Sequence, residues 1–587
     1  MCGIVGYCGN NPACGFVFEG LKKLEYRGYD SWGIATAEGS KIRVSKKVGK
    51  ISGFSEEQLM HTGFAGIGHT RWATHGEVSE KNTHPHMCCS GAVAVVHNGI
   101  IENYEELKNE LALRGHTFSS ETDTEVIAHL IGDLLKGHVF REAVRVAASR
   151  LKGSFAFIAL SNSSKDLVAV KNESPLVIGI KEGGEYFVAS DPSAFIEHTK
   201  KVVFLDDGEL AVLNSALNIE KLADGTPVVK SATEIPWSIE QAKKGDFEHY
   251  MLKEISEQKS TIKAAIASDK AILDVAKKIN EAYGVFFVAA GSSLHAALSA
   301  SYTFSKVAKK HINVVDASEF AYYEDFLTPK TLMIAISQSG ETADLLSAVK
   351  AAKKKGVQIV SIVNVMGSTL MRESDSALLM NAGPEICVLA TKSYTSQLAI
   401  LHLLAYAVMG RFPEGKESLK KVADDVDNLV SEKSASSIKA LSEKLKNKDH
   451  IYVIGRGLSY PTALEAALKI KEVSYIHAEG FAGGALKHGT IALIEKGTPC
   501  IVFAPNDETY GDVINNAREI QARGGYIIGV SPKKSSVFDT WIEVPDAGEN
   551  FPIVNIIPIQ LLSYYLAVLR GLDPDKPRNL AKSVTVK

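Results

Sequence analysis

Over the first two hundred residues, apolar positions gather in short strand-like runs, several of them with period-two alternation. The runs cover residues 3–7, 32–37, 41–44, 91–96, 154–160, 167–171, 176–181 and 210–213, and most are bounded by Gly, Asn, Asp or Ser. Period-two alternation over four to seven residues predicts half-buried strands. Helical spacing of apolar positions predicts helices over 14–24, 104–114 and 125–151. Many strands with a few helices between them predict an α+β sandwich of sheets flanked by helices. Around 224–247 the pattern breaks at Gly225, Pro227, Pro236 and the turn Lys243-Lys244-Gly245-Asp246, which reads as a linker.

Beyond it, strand, loop and helix alternate, which predicts parallel sheets covered on both faces. This second pattern repeats. Residues 285–290 and 450–455 each lead into a helix, and the succession 331–337, 338–355, 356–363 is echoed by 499–505, 506–523, 524–530. An offset of about 165 residues describes two tandem α/β domains of one ancestry, not a short solenoid repeat. The expected boundaries are 1–220, a linker at 221–247, 248–420, 421–575, and a tail at 576–587.

Composition narrows the picture. With 587 residues, 45% apolar and 23% charged, the chain has material for several cores. A net charge of −3 creates no field that would favour a polyanion such as nucleic acid, or an anionic membrane surface. No apolar run reaches the ~20 residues of a membrane span, and no secretory leader opens the chain, so a cytoplasmic protein is expected. The seven cysteines are scattered without CxxC pairs, which favours neither a disulfide framework nor a zinc site. Cys88-Cys89 after His84-Pro85-His86 is the one suggestion of a metal cluster, and no metal is expected.

Chemistry enters at the start. In Met1-Cys2-Gly3-Ile4-Val5-Gly6, removal of Met1 makes Cys2 the terminus, and its α-amine, ordinarily near pKa 8, can act as base for its own thiol. The alternative is a small buried residue opening a strand. Four polar clusters punctuate the strands that follow: 26–31 (YRGYDS), 69–76 (HTRWATHG), 97–104 (HNGIIENY) and 121–125 (ETDTE). Each can be only a turn or a helix cap. Together with Cys2 they contain what hydrolysis of an amino acid's side-chain amide needs. The Asn98 amide and the Gly99 N–H can form an oxyanion hole, Arg71 can hold a carboxylate, and Asp123 can hold an ammonium.

These motifs resemble the N-terminal-nucleophile glutaminase domain of class II amidotransferases over residues 1–215. The resemblance implies an αββα fold and glutamine as substrate, with Cys2 forming a γ-glutamyl thioester that releases ammonia. It further implies Arg71, Trp72, Thr74, His75 and Asp123 around the glutamine, Asn98 and Gly99 in the oxyanion hole, and Trp72 as a gate for ammonia.

In the first α/β copy, strands run into Gly291-Ser292-Ser293 and Ser337-Gln338-Ser339-Gly340-Glu341-Thr342. Small hydroxyl residues and Gly at helix starts after parallel strands suit a phosphate cradle, or simply helix caps. The second copy has Pro505-Asn506-Asp507-Glu508-Thr509 there, and acid would repel phosphate. No GxxxxGK[ST] is present, which argues against a nucleoside triphosphate. Over 461–475, Leu464, Leu468 and Val473 fall on one side of a helix and Glu465, Lys469 and Glu472 on another. That second stripe is either a solvated charged face or a carboxylate–lysine pair for proton transfer. His488 sits among glycines in the run 484–489, and the tail carries Lys582.

The Ser-Gln-Ser-Gly-Glu-Thr string resembles the sugar isomerase (SIS) domain. Two such domains behind a class II glutaminase are similar to the glutamine:fructose-6-phosphate amidotransferase family over essentially the whole chain. The resemblance implies fructose 6-phosphate as second substrate, bound by Ser292, Ser293, Ser337, Gln338, Ser339, Thr342 and Val388. It assigns Lys582 a Schiff base, Glu472 the proton transfer, Lys469 assistance and His488 ring opening, in a homodimer whose His488 enters the neighbour's site. No cofactor is implied. Ala390, Ala485, Thr490 and Ala290 depart from the family's usual residues and bear on which sugar is taken. The rivals are an enzyme of the same architecture acting on another keto-sugar phosphate, a phosphoribosyl-pyrophosphate amidotransferase, and a sugar-phosphate sensor without turnover.

Overall fold

The computed structural model describes residues 2–72, 76–235 and 239–585. They form two compact units, 1–242 together with 581–587, and 243–580. The first unit is built on two antiparallel sheets. In the larger, the strands run in the order Thr233–Glu234, Lys201–Phe204, Val177–Lys181, Glu185–Ala189, Gly3–Cys8, Ala65–Arg71, Ser31–Glu38, Lys41–Val48. The smaller runs Pro227–Val228, Leu217–Lys221, Glu209–Leu213, Leu167–Asn172, Phe155–Ser161, Val93–Gly99, His86–Met87.

Alternation along each strand assigns its faces. Ile4, Ile67, Ala94, Val96, Ala156 and Ile158 meet in the core between the sheets. Val93, Val95, Phe155, Phe157, Val168 and Val170 point the other way, against Leu107, Ile127, Ile131, Val144 and Ala147 of the helices. Helix Ala13–Lys23 covers the outer face of the larger sheet. The expected αββα sandwich is therefore what forms.

Three local features differ from the pattern-based reading. The expected helix over 125–151 is two helices, Glu125–Leu134 and Phe140–Arg150, separated by a turn at Lys136-Gly137-His138. Strand Ala65–Arg71, fully buried at the sheet centre, lacks alternation because Gly66 and Gly68 face helix Ala13–Lys23. A Cβ on either glycine would meet Ala13 Cβ at 2.9 Å or Val17 Cγ1 at 2.5 Å, so the helix can approach only over a glycine stripe. Part of the expected linker is paired backbone, with Pro227–Val228 and Thr233–Glu234 as sheet edges.

The second unit holds two five-stranded parallel sheets with one topology. The first orders its strands Asn313–Asp316, Gly284–Ala289, Thr331–Ser337, Gln358–Val363, Ser376–Leu379. The second orders them His477–Ala482, His450–Gly455, Pro499–Phe503, Tyr526–Ser531, Thr540–Glu543. Each is a 2-1-3-4-5 doubly wound sheet, in which ligands bind at the carboxyl ends of the strands near the order switch. One continuous core joins the copies through the buried helices Lys392–Val408, Ser459–Ser474 and Phe551–Leu569. The segment Gly548–Leu569 has the length and hydropathy of a membrane span, contrary to the reading of the sequence, and 83% of its apolar window is buried inside the protein.

Candidate active sites

In the first unit, topology gathers the motifs around Cys2. Strand Gly3–Cys8 pairs antiparallel with Ala65–Arg71, Gly3 opposite Thr70, so Cys2 lies beside the exit of the strand that ends in Arg71. The Trp72 N–H donates to Cys2 Sγ at 3.2 Å, and the thiol faces Trp72 O at 3.5 Å. Trp72 therefore reaches Cys2 through its backbone, and its side chain is half-buried. Burial raises the Cys2 thiol above its ordinary range, and the Trp72 N–H and the Arg71 guanidinium oppose that only in part. A thiol held protonated needs a base.

From the facing sheet, Asn98 Nδ2 donates to Cys2 O at 3.0 Å. Asn98 Oδ1 lies 3.1 Å from His69 Nε2, which is also 3.0 Å from His97 O. Two acceptors on one ring nitrogen require Nε2–H, which fixes the His69 tautomer and turns the Asn98 amide so that its donors face Cys2. His97 Nδ1 in turn contacts Thr124 Oγ1 at 2.9 Å. Gly99 has φ +113°, and a Cβ there would lie 1.9 Å from Ser154 O, so only glycine fits.

Arg71 is buried and donates to Gly76 O at 3.1 Å and Glu77 O at 3.2 Å. Desolvation lowers its pKa, while Cys2, Asp30 and Asp123 favour its charge, which places three anionic or potentially anionic groups within its field. Asp123 Oδ2 accepts the Ile101 N–H at 2.8 Å. Behind this layer the Tyr26-Arg27 run is tied to Asp191, Arg27 Nη2 lying 2.8 Å from Asp191 Oδ2. Thr74 and His75 lie outside the described residues. His69 is the residue that sequence reasoning missed here. It stood inside a quoted motif, and nothing along the chain indicates that it aims Asn98.

In the second unit, the stripe Glu465, Lys469, Glu472 is interior. Glu465 and Lys469 are fully buried, so the solvated-face alternative does not hold. The reason is that small residues, Ala463, Ala466 and Ala467, form the packed face, while Leu464 and Leu468 are only half-buried. Lys469 Nζ lies 2.6 Å from Glu472 Oε2 and 3.5 Å from Glu465 Oε1. Burial alone would lower the Lys469 pKa, but Glu472, Glu465 and then Glu385 reverse the direction and raise it. Lys469 is an ammonium ion. Glu465 is held below its ordinary range, because Lys469, His295 and Ser292 outweigh its desolvation. His295 Nδ1 contacts Glu465 Oε2 at 2.8 Å, joining the first copy to the second across 170 positions. His295 was not among the expected site residues, and Glu465 stood in the stripe without a role of its own.

Ser292 is thus turned to Glu465, and Ser293 is buried on the same first turn of helix Gly291–Thr303. The second expected phosphate loop is tightly organised. Ser337 Oγ accepts the Gly340 N–H at 3.0 Å and lies 3.0 Å from Thr342 Oγ1, and Ser339 Oγ accepts the Glu341 N–H at 3.2 Å. Gly340 has φ +68°, and a Cβ there would strike Ser368 Oγ at 2.2 Å. The loop opens helix Ala343–Lys354, whose first-turn N–H groups and dipole favour an anion. Gln338 bonds through its carbonyl to Asn364 N–H at 3.0 Å. In the second copy Asp507 takes the corresponding donors, accepting from Thr509 N at 2.8 Å.

The chain is anchored where the tail begins. Asp575 accepts the Tyr250 and Met251 N–H groups at 2.8 and 2.7 Å, and its carbonyl accepts the Val388 N–H at 3.1 Å. Arg578 N donates to Tyr475 Oη at 2.7 Å, and its guanidinium lies 4.3 Å from that ring. Tyr475 is the left-handed cap of the helix bearing Glu472. Lys582 belongs to the first compact unit, within 581–587. His488 is exposed on the turn Gly483–His488, and among the described residues no hydrogen bond joins it to Glu472 or Lys469.

Comparisons with known proteins agree with both halves. The profile described as a glutamine amidotransferase domain matches residues 69–197, and that of the SIS domain matches 278–407 and 444–570. A relative from Thermococcus kodakarensis named glutamine–fructose-6-phosphate aminotransferase (isomerizing) is 49% identical over 605 residues, covering 100% of each chain. One of the same name from Pyrococcus horikoshii is 47% identical over 603 residues, again covering both in full. Among solved structures, the C-terminal domain of glucosamine-fructose-6-phosphate aminotransferase from Francisella tularensis is similar at a TM-score of 0.53 and 38% identity. It covers 57% of this chain and 99% of that one.

Proposed function

The chain belongs to the glutamine–fructose-6-phosphate aminotransferase (isomerizing) family, and from that premise we propose how its residues share the conversion of glutamine and fructose 6-phosphate to glutamate and glucosamine 6-phosphate. With Met1 removed, the Cys2 amine takes the thiol proton and the sulfur attacks the glutamine amide carbon. The oxyanion forms against the Asn98 amide and the Gly99 N–H, and ammonia leaves with that proton. Water then hydrolyses the thioester to glutamate. Arg71 holds the substrate carboxylate and Asp123 its ammonium, with Trp72 as a further residue of the pocket.

The phosphate of fructose 6-phosphate is held at the loops of Ser292, Ser293, Ser337, Gln338, Ser339 and Thr342, with Val388 beside the sugar. His488 opens the ring, Lys582 forms a Schiff base at C2 with loss of water, and ammonia displaces the lysine. Glu472 then carries a proton from C1 to C2, turning the ketose imine into the 2-amino aldose. Lys469 stays an ammonium throughout and holds the Glu472 carboxylate in place. The tail is anchored at Tyr475 through Arg578. His488, exposed and without a side-chain hydrogen bond among the described residues, suits a homodimer in which it serves the neighbouring copy.

The observation that carries this reading is the Glu465–Lys469–Glu472 stripe beside Ser292, in which a fully buried Lys469 holds the half-buried Glu472, since a protein that only binds sugar phosphate has no need of a carboxylate held by an interior ammonium. Glu472→Gln tests it. The variant should release glutamate and bind fructose 6-phosphate by calorimetry, yet form no amino sugar. Undiminished product would remove Glu472 from the proton transfer.

A further inference from the structure

One cluster in the glutaminase unit takes no part in the chemistry above. Cys89 lies in the turn between strands His86–Met87 and Val93–Gly99, His116 follows helix Tyr104–Leu113, and His129 is on helix Glu125–Leu134. Cys89 Sγ lies 3.4 Å from His116 Nδ1 and 3.1 Å from His129 Nδ1, and the two Nδ1 atoms are 3.3 Å apart. Zn–N bonds of about 2.0–2.1 Å and Zn–S bonds of about 2.3 Å in a tetrahedron put nitrogens about 3.3 Å apart and sulfur about 3.5 Å from nitrogen. The triangle has the dimensions of three corners of such a site.

The outer atoms of both rings are committed. His129 Nε2 lies 3.4 Å from Glu125 Oε1 and His116 Nε2 lies 3.3 Å from Asp133 Oδ1. These carboxylates are themselves held, Glu125 by the Ser119 and Ser120 N–H groups and Asp133 by Arg114 and Lys136. A carboxylate on each Nε2 keeps the proton there and leaves a lone pair on each Nδ1, the arrangement found behind metal-bound histidines. The Cys89 N–H at 3.3 Å already points at the His129 lone pair, which supports that tautomer. The two Nδ1 atoms and the thiol sulfur converge on one point, which a cation can occupy by displacing the Cys89 N–H and the thiol proton. Cys89 is exposed and His129 buried, so an ion can enter from solvent and a fourth corner is open to water.

We propose that Cys89, His116 and His129 form a binding site for a divalent cation of borderline softness, zinc above all, with Glu125 and Asp133 as its outer shell. Binding replaces the thiol proton, released to solvent, by the metal. The ion ties the hairpin turn and the segment after helix Tyr104–Leu113 to helix Glu125–Leu134. Between those tie points runs the 117–124 segment, which carries Asp123.

The test uses the reduced, full-length protein titrated with Co²⁺ as a spectroscopic stand-in for zinc, then with Zn²⁺. One equivalent of Co²⁺ should give a thiolate-to-cobalt charge-transfer band and the intense visible bands of tetrahedral cobalt, and Zn²⁺ should bleach both. Cys89→Ser, a change at an exposed position, should lose the thiolate band, and Cys2→Ala should keep it. Zn²⁺ should slow amide exchange over 117–124 in the wild type and not in Cys89→Ser. Absence of the band in the wild type, its persistence in Cys89→Ser, or its loss in Cys2→Ala would overturn the assignment.

Discussion

Replacing Lys469 by Met keeps the side-chain volume and removes the cation between two carboxylates. Glu465 is fully buried, and among the described residues it would keep His295 at 2.8 Å and Ser292 as partners. Breaking a buried pair from one side costs about 3–5 kcal/mol. Glu472 is 20% exposed and can turn to water, and His295 remains, so the low end, about 3 kcal/mol, applies. At about 1.4 kcal/mol per factor of ten, that accelerates exchange of the most protected amides of helix Ser459–Ser474 on the order of 100-fold.

The deficit has a sign with pH. In the wild type Glu465 titrates below its ordinary range, so its contribution is present above that range and is lost as pH falls. Without Lys469, burial dominates and its folded pKa rises above the unfolded value. The deficit is then full at neutral pH and shrinks as Glu465 becomes protonated. Adding Glu465→Gln to Lys469→Met should restore most of the protection, because the uncompensated charge is gone. Hydrogen exchange read by mass spectrometry at pH 7.5 and 5.5 checks this. Exchange within twofold of wild type, or a double variant no better than the single, would refute the reasoning.

Other outcomes follow from the same structure. Asn98→Ala should reduce glutamine hydrolysis about 10²–10³-fold in kcat with a smaller change in KM, measured by glutamate release. The buried histidines make the glutaminase unit acid-sensitive. Burial lowers His69 to about 3 and holds His84 and His86 well below their ordinary value, so they stay neutral while unfolded histidines take up protons below about 6.5. Stability is therefore full above that value and lost as pH falls, by about 1.4 kcal/mol per histidine at pH 5.5. Denaturant unfolding of that unit at pH 8.0 and 5.5 should differ by about 4 kcal/mol, and a difference under 1 kcal/mol would contradict it.

The legibility of this chain in its sequence divides by range. Strands such as Gly3–Cys8 and Phe155–Ser161 are buried on both faces, and their short, nearly unbroken apolar runs bounded by turn residues say so directly. Ala65–Arg71 escaped because its glycines are set by a helix fifty residues upstream, a tertiary reason that leaves no local period. The stripe Glu465, Lys469, Glu472 was legible as one helical face. Its burial was not, since charges at that spacing ordinarily face water, and it is packing against helices Gly291–Thr303 and Phe551–Leu569 that covers the helix bearing it. His69 and His295 act through partners 29 and 170 positions away, and such contacts have no linear trace. The doublet Cys88-Cys89 pointed toward a metal through neighbours in sequence, whereas the ligand atoms that converge on Cys89 come from His116 and His129.

The central claim is that the nitrogen released at Cys2 becomes the amine of the sugar. Met-trimmed protein given amide-¹⁵N glutamine and fructose 6-phosphate, in the presence of unlabelled ammonium, reports on it by product mass. The account predicts ¹⁵N-glucosamine 6-phosphate in one-to-one yield with glutamate, lost entirely in Cys2→Ala. Glutamate without labelled amino sugar would contradict it.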